Sequence, residues 1–117
     1  MVSRLTSGFF VSQLVRRING ASGFGAIARA GADAAGAIYI VVRKRSGSLL
    51  LFGPAPQSGY GQSNDGDRLF QKVDGIVNDM DLSEFQTREE RFDPDFWIVE
   101  IEPSSDADPL PFELIKP

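Results

Sequence analysis

The chain contains no cysteine and no histidine. Without thiols it can build neither a disulfide framework nor a thiolate-held zinc or iron–sulfur centre. Without imidazole it lacks the commonest general base at neutral pH and the commonest transition-metal ligand. Ser-His-Asp and Cys-His nucleophilic machinery, the HExxH zinc motif and the two-His-carboxylate triad are therefore excluded. Long apolar runs are missing as well, and nothing approaches the roughly 20 residues that span a bilayer. The opening stretch MVSRLTSGFFVSQLVRRING places an arginine ahead of an apolar patch, as a signal peptide does. Ser12 and Gln13 break that patch, and Arg16 and Arg17 close it too early. The expectation is a cytoplasmic protein with no membrane attachment.

What remains is ordinary globular material. At 117 residues, 42% hydrophobic and 24% charged, the chain has room for one domain. Its net charge of −4 hides a division. Residues 1–45 carry seven Lys or Arg against the single Asp33, whereas residues 46–117 carry five against fifteen Asp or Glu. Such halves can complement one another within a chain or across a dimer. Net acidity opposes the third possibility, a basic face for polyanions.

Apolar residues at Phe10, Leu14 and Ile18, with Val11 and Val15 beside them, predict a helix from a Thr6 or Ser7 cap to about Asn19. Gly20 suits its C-terminal cap, and two arginines in the last turn complement the helix dipole. Residues 23–31 read as a short strand. Residues 37–45, AIYIVVRKR, are apolar on both faces and read as a central strand. An SGS turn returns the chain through LLLF (49–52), which Gly53 and Pro54 should end. Residues 57–67 form a polar, glycine-rich loop with Tyr60, either a lid or a floppy insertion. A strand over 68–73 precedes a helix capped by Asp81, with Glu84 and a Met80–Phe85 staple completing its start. Asp93 before Pro94 stops that helix, and residues 96–102 make the last strand.

This order predicts an α+β fold: one compact domain over residues 1–102, with two main helices and a mixed, mostly antiparallel sheet of about five strands. The final helix–strand step allows one right-handed crossover and hence a parallel pair. Residues 103–117 are a proline-rich tail whose Phe112, Leu114 and Ile115 either dock on the body or add a strand to a neighbour.

Three sets of residues invite chemistry. The glycines in NGASGFGAIARAG follow a helix instead of opening one, so they make a cap and turn rather than a phosphate cradle. Asp93, Asp95 and Glu100 could hold Mg²⁺ in a hydrolase or phosphoesterase. Against this, each acid has a structural use: Asp93 and Asp95 in the turn, Glu100 opposite Arg43 or Arg45. Strand alternation puts Phe96, Ile98, Glu100 and Glu102 on one face, with Trp97, Val99 and Ile101 on the other. The basic residues Arg16, Arg17, Arg29, Arg43, Lys44 and Arg45 could bind phosphate or nucleic acid beside Tyr39 as a stacking platform. Arg29, in a strand of small residues, demands a partner, and Asp93, Asp95 and Glu100 are the acids expected to supply it. Together Arg16, Arg17, Arg29, Arg43, Asp93, Asp95, Trp97 and Glu100 form the candidate binding or ion-pair cluster.

The helix bearing VRR, the GADAAGA turn into a β-run, LFGPAP and ERFDPDFWIVEIE appear in that order. In this the chain resembles a small alphaproteobacterial family catalogued as domain of unknown function 1491, over most of residues 7–102. The resemblance supports the domain boundaries and the cytoplasmic expectation, and it implies no activity. The glycine-rich loop and the tail fall outside it. The sequence reading favours a non-enzymatic interaction module, without metal or cofactor, that pairs with itself or with another protein.

Overall fold

The computed structural model describes residues 5–56 and 68–115. The glycine-rich loop 57–67 therefore lies outside the described residues. The elements run α1 (Ser7–Gly20), β1 (Phe24–Arg29), β2 (Ile38–Arg43), β3 (Leu49–Pro54), β4 (Leu69–Lys72), α2 (Asp79–Phe92), β5 (Trp97–Glu102) and β6 (Glu113–Leu114). The α+β, single-domain expectation holds. The six strands form one mixed sheet in the order β1-β5-β2-β3-β4-β6.

β5 enters beside β2 in parallel, as the helix crossover requires, and pairs antiparallel with β1 on its other side. The WIVEIE segment, β5, is therefore an interior strand, one in from the β1 edge. Both of its faces are covered, which explains its near-continuous burial. On one face Trp97, Val99 and Ile101 join Ile38, Ile40 and Val42 beneath α1 residues Val11, Leu14 and Ile18. On the other, Phe96 and Ile98 join Val41, Leu49 and Leu51 beneath Leu82 of α2. The predicted alternation of this strand is the alternation observed.

Three expectations are corrected. The second helix is capped by Asn78, whose side chain accepts the Asp81 N–H at 2.8 Å, and not by Asp81. Asp81 reaches back in turn and accepts the Val77 N–H, one residue before the cap, at 3.1 Å. The start therefore lies three residues earlier, and Met80 is 72% exposed instead of stapling to Phe85. β3 runs through Gly53 and Pro54, because β4 pairs with both. The sheet also has a sixth strand. Tail residues Glu113 and Leu114 pair in parallel with Leu69 and Phe70. Phe112 sits 5.2 Å from both Phe52 and Phe70, edge to face.

The GADAAGA segment ties three parts of the chain together. Ala32 donates its N–H to the Asp95 carbonyl at 2.9 Å and accepts the Trp97 indole N–H at 2.8 Å. Ser7, wholly buried at the start of α1, donates its hydroxyl to the Gly36 carbonyl at 2.6 Å. Two motifs 60 residues apart, GADAAGA and DPDFW, are thus one structural unit.

Candidate functional site

Arg29 leaves the edge strand β1 on the α2 face and grips the turn before β5. Its Nη2 donates to the Pro94 carbonyl at 2.6 Å and its Nε to the Phe96 carbonyl at 3.2 Å. Nη1 pairs with Glu90 of α2 at 3.1 Å, and the guanidinium lies 4.3 Å above the Phe96 ring. The partners are one helix glutamate and two carbonyls, not Asp93, Asp95 or Glu100. Asp93 is occupied in the turn itself, accepting the Asp95 N–H at 3.0 Å.

Arg43 reaches Glu100 at 3.1 Å and Asp79, in the first turn of α2, at 2.6 Å. These two hydrogen bonds, to Asp79 first and then Glu100, hold its pKa well above the ordinary value, and the bond from Arg43 holds Asp79 below the usual carboxylate range. Arg45 donates its Nε to the Ser104 carbonyl and its backbone N–H to Asp106, both at 2.8 Å. The basic N-terminal half thus meets the acidic C-terminal half within one chain at Arg29, Arg43 and Arg45.

Tyr39 is no stacking platform. Its ring is half-buried between Phe85 at 5.0 Å and Phe96 at 5.8 Å, and its hydroxyl donates to Glu89 at 3.2 Å. Burial, reinforced by the Glu89 charge, pushes its pKa up to about 12. Because the folded value lies above the unfolded one, near 10, the folded state keeps the proton that the unfolded state loses. Stability should therefore hold below about pH 10 and fall as pH rises towards 12. Denaturation measured across that window should show a steeper alkaline loss for the wild type than for Tyr39→Phe.

Arg16 and Arg17 are elsewhere, across the sheet on exposed positions of α1. Among the described residues neither makes a salt bridge. They border a cleft between α1 and the 103–113 segment, made of three adjoining hollows of about 370, 350 and 240 Å³. Arg17 and Pro111 line all three. Phe10 and Leu14 supply apolar wall on the helix side, and Leu110 faces them from the tail. Arg68 also lines the cleft, its guanidinium 5.5 Å above the Phe10 ring and its Nη2 donating to the Leu5 carbonyl at 2.8 Å.

The eight candidate residues therefore fall into separate groups. Arg29 joins the 93–96 turn, Arg43 joins Glu100, Trp97 anchors the GADAAGA segment, and Arg16 and Arg17 border the cleft. Sequence reasoning missed Glu90, Glu89 and Asp79 as the partner acids, because only the landing position of α2 brings them over the strands. It also missed Arg68 and the prolines as cleft walls. The Leu110 and Phe112 spacing around Pro111 was the available signal for a docked tail.

Fold and cleft define a small α+β domain with helices on both sides of a mixed sheet and an apolar, arginine-rimmed groove beside the first helix. The chain belongs to the family described as protein of unknown function DUF1491, whose sequence profile matches residues 5–111. That span takes in the glycine-rich loop and most of the tail. The solution structure of protein Atu0922 from A. tumefaciens is 39% identical, with a TM-score of 0.81 and 98% of each chain covered. The crystal structure of a DUF1491 family protein from Caulobacter crescentus CB15 is 27% identical, with a TM-score of 0.76, over 97% of this chain and 100% of that one. An NMR structure of a DUF1491 family protein from the same organism is 29% identical, with a TM-score of 0.74, over 97% of this chain and 99% of that one. The comparison with curated proteins returns no match. Among the described residues, no helix is long and apolar enough to cross a membrane.

Proposed function

We propose that the protein is a small non-enzymatic binding module that recognises another protein through the cleft between α1 and the 103–113 segment. The observation that carries this is the contrast in how the arginines are used. Arg29, Arg43 and Arg45 are spent on the fold, while Arg16 and Arg17 stand on a concave, partly apolar surface without an ion-pair partner among the described residues. Concave apolar sites with a few placed charges are the usual setting for recognition. The hydrolase alternative loses its metal-binding set, because Glu100 turns to Arg43 and Asp93 closes its own turn.

Pairing of two copies through the sheet edge is the weaker form of the same reading. Asn19, at the end of α1, accepts the Gly25 N–H at 2.9 Å and donates to the Gly25 carbonyl at 3.4 Å. Its carboxamide thus stands where a neighbouring strand would. The Gly23 N–H is taken by the Ile18 carbonyl, and a bulge interrupts the strand between Ile27 and Arg29. Natural sheet edges are blunted in these ways. Light scattering at micromolar concentration should accordingly report a monomer in low and in high salt.

Amide chemical-shift mapping with a random peptide pool, beside a Mg²⁺ titration, tests the reading. The peptide pool should shift α1 and residues 103–113, and Mg²⁺ should shift neither. Mg²⁺-dependent shifts at Asp93, Asp95 and Glu100 would overturn it in favour of a metal-dependent hydrolase.

A further inference from the structure

We infer that the occupant of the cleft is an extended acidic segment of a partner protein, with apolar side chains interspersed among its carboxylates. This rests on the reading of the cleft as a binding site and adds the chemistry of what binds. The charge balance is the first ground. In a chain of net charge −4, Arg29 and Arg43 have acid partners, whereas Arg17 faces all three hollows and Arg16 the largest without a salt bridge among the described residues. A guanidinium offers a planar fork of donors that matches a carboxylate with two parallel hydrogen bonds.

Shape is the second ground. The helix side of the cleft runs from Phe10 to Ile18, nine residues that span about 14 Å. An extended chain rising about 3.3 Å per residue covers that length in roughly four residues. Alternate side chains of such a segment point in opposite directions. One set can then enter the apolar hollows beside Phe10, Leu14 and Leu110 while the other presents acids to the arginine rim. The facing wall contains Pro103, Pro109 and Pro111, which carry no N–H. A continuous backbone ladder along that wall is closed off, so recognition must come from side chains and charge.

The same rim argues against a nucleic acid. Asp108 and Glu113 border the cleft, and they would repel a continuous line of phosphates. A segment whose carboxylates are spaced can place each one on an arginine and leave the acids alone. Arg17 in the last turn of α1 also complements the helix dipole, a role that leaves its guanidinium free to bind.

Fluorescence anisotropy on the full chain tests this with labelled peptides about eight residues long. One alternates Asp or Glu with Leu or Phe, a second carries Asn and Gln in place of the acids, and a third carries Lys. A single-stranded oligonucleotide forms a fourth arm. The acidic peptide should bind about tenfold more tightly than its amide counterpart for each carboxylate that meets an arginine. That margin should shrink with salt and disappear in Arg16→Gln/Arg17→Gln, a variant whose melting temperature stays at the wild-type value. Arg16→Lys/Arg17→Lys should keep part of it. Equal binding of acidic and amide peptides overturns the charge assignment while leaving the cleft as a binding site. Tighter binding of the oligonucleotide overturns it in favour of a polyanion site. Failure of every probe, with no shift from the random pool, overturns the binding-site reading as well.

Discussion

Gly31→Ala should destabilise the protein by about 3 kcal/mol, near the upper end of what overpacking costs. A Cβ at residue 31 would fall against the Asp95 carbonyl oxygen and within 2.6 Å and 2.8 Å of the Phe96 carbonyl carbon and oxygen. All of these are backbone atoms of the turn into β5, so no side-chain rotation relieves the clash. Gly36 faces the same turn, and a Cβ there would lie 2.9 Å from the Ala32 nitrogen and oxygen as well as against Asp95. With total stability of about 5–15 kcal/mol for a domain of this kind, Gly31→Ala/Gly36→Ala should remove a large fraction of it. Gly20→Ala is the control. Nothing lies within 4 Å of its Cβ, and the site ends a helix, so alanine should be neutral or stabilising by up to about 1 kcal/mol. Urea denaturation of the three single variants reads both signs. The two glycines of GADAAGA are thus there for close approach of backbone to backbone, not for a ligand.

Arg29→Ala should cost about 2 kcal/mol, chiefly by removing charged donors from the Pro94 and Phe96 carbonyls. The Glu90 pair adds little, because Glu90 is half exposed and surface ion pairs contribute about 0–1 kcal/mol. Glu90→Gln should therefore change stability by less than about 0.5 kcal/mol. Arg29→Lys should recover only a small part of the loss, since one ammonium cannot span three acceptors while lying flat on the Phe96 ring. A cost for Glu90→Gln equal to that of Arg29→Ala would mean that the ion pair, not the grip on the turn, is what Arg29 supplies.

The fold was legible where local pattern and tertiary role agree. WIVEIE alternates between two faces, and both faces turned out to be covered. The β-branched run at 38–43 reads as a central strand and lies beside it. The first helix announced itself by its four-residue spacing. Legibility failed where a partner is far away in sequence. Asp81 and Glu84 look like a capping pair, but Asn78 three residues earlier takes the cap, because Asp81 can then accept the Val77 N–H. Asp93, Asp95 and Glu100 are the acids the sequence offers Arg29, because a charge in a strand of small residues needs a partner. The arginine instead meets backbone carbonyls, which no composition reveals, and a helix acid placed by the crossover. The tail, expected either to dock on the body or to add a strand to a neighbour, docks, and its pocket is built by Phe52 and Phe70 from two other strands. The cleft is a consequence of that docking, and its walls come from segments too far apart in sequence to be joined by local pattern.

The central claim is a division of labour among arginines: Arg29 holds the fold, and Arg16 and Arg17 face a partner. Urea denaturation of Arg29→Ala beside Arg16→Ala/Arg17→Ala tests it most directly. The account predicts a loss of about 2 kcal/mol for the first and a change within about 0.5 kcal/mol for the second. A double variant as destabilised as Arg29→Ala, or an Arg29→Ala protein as stable as the wild type, would contradict it.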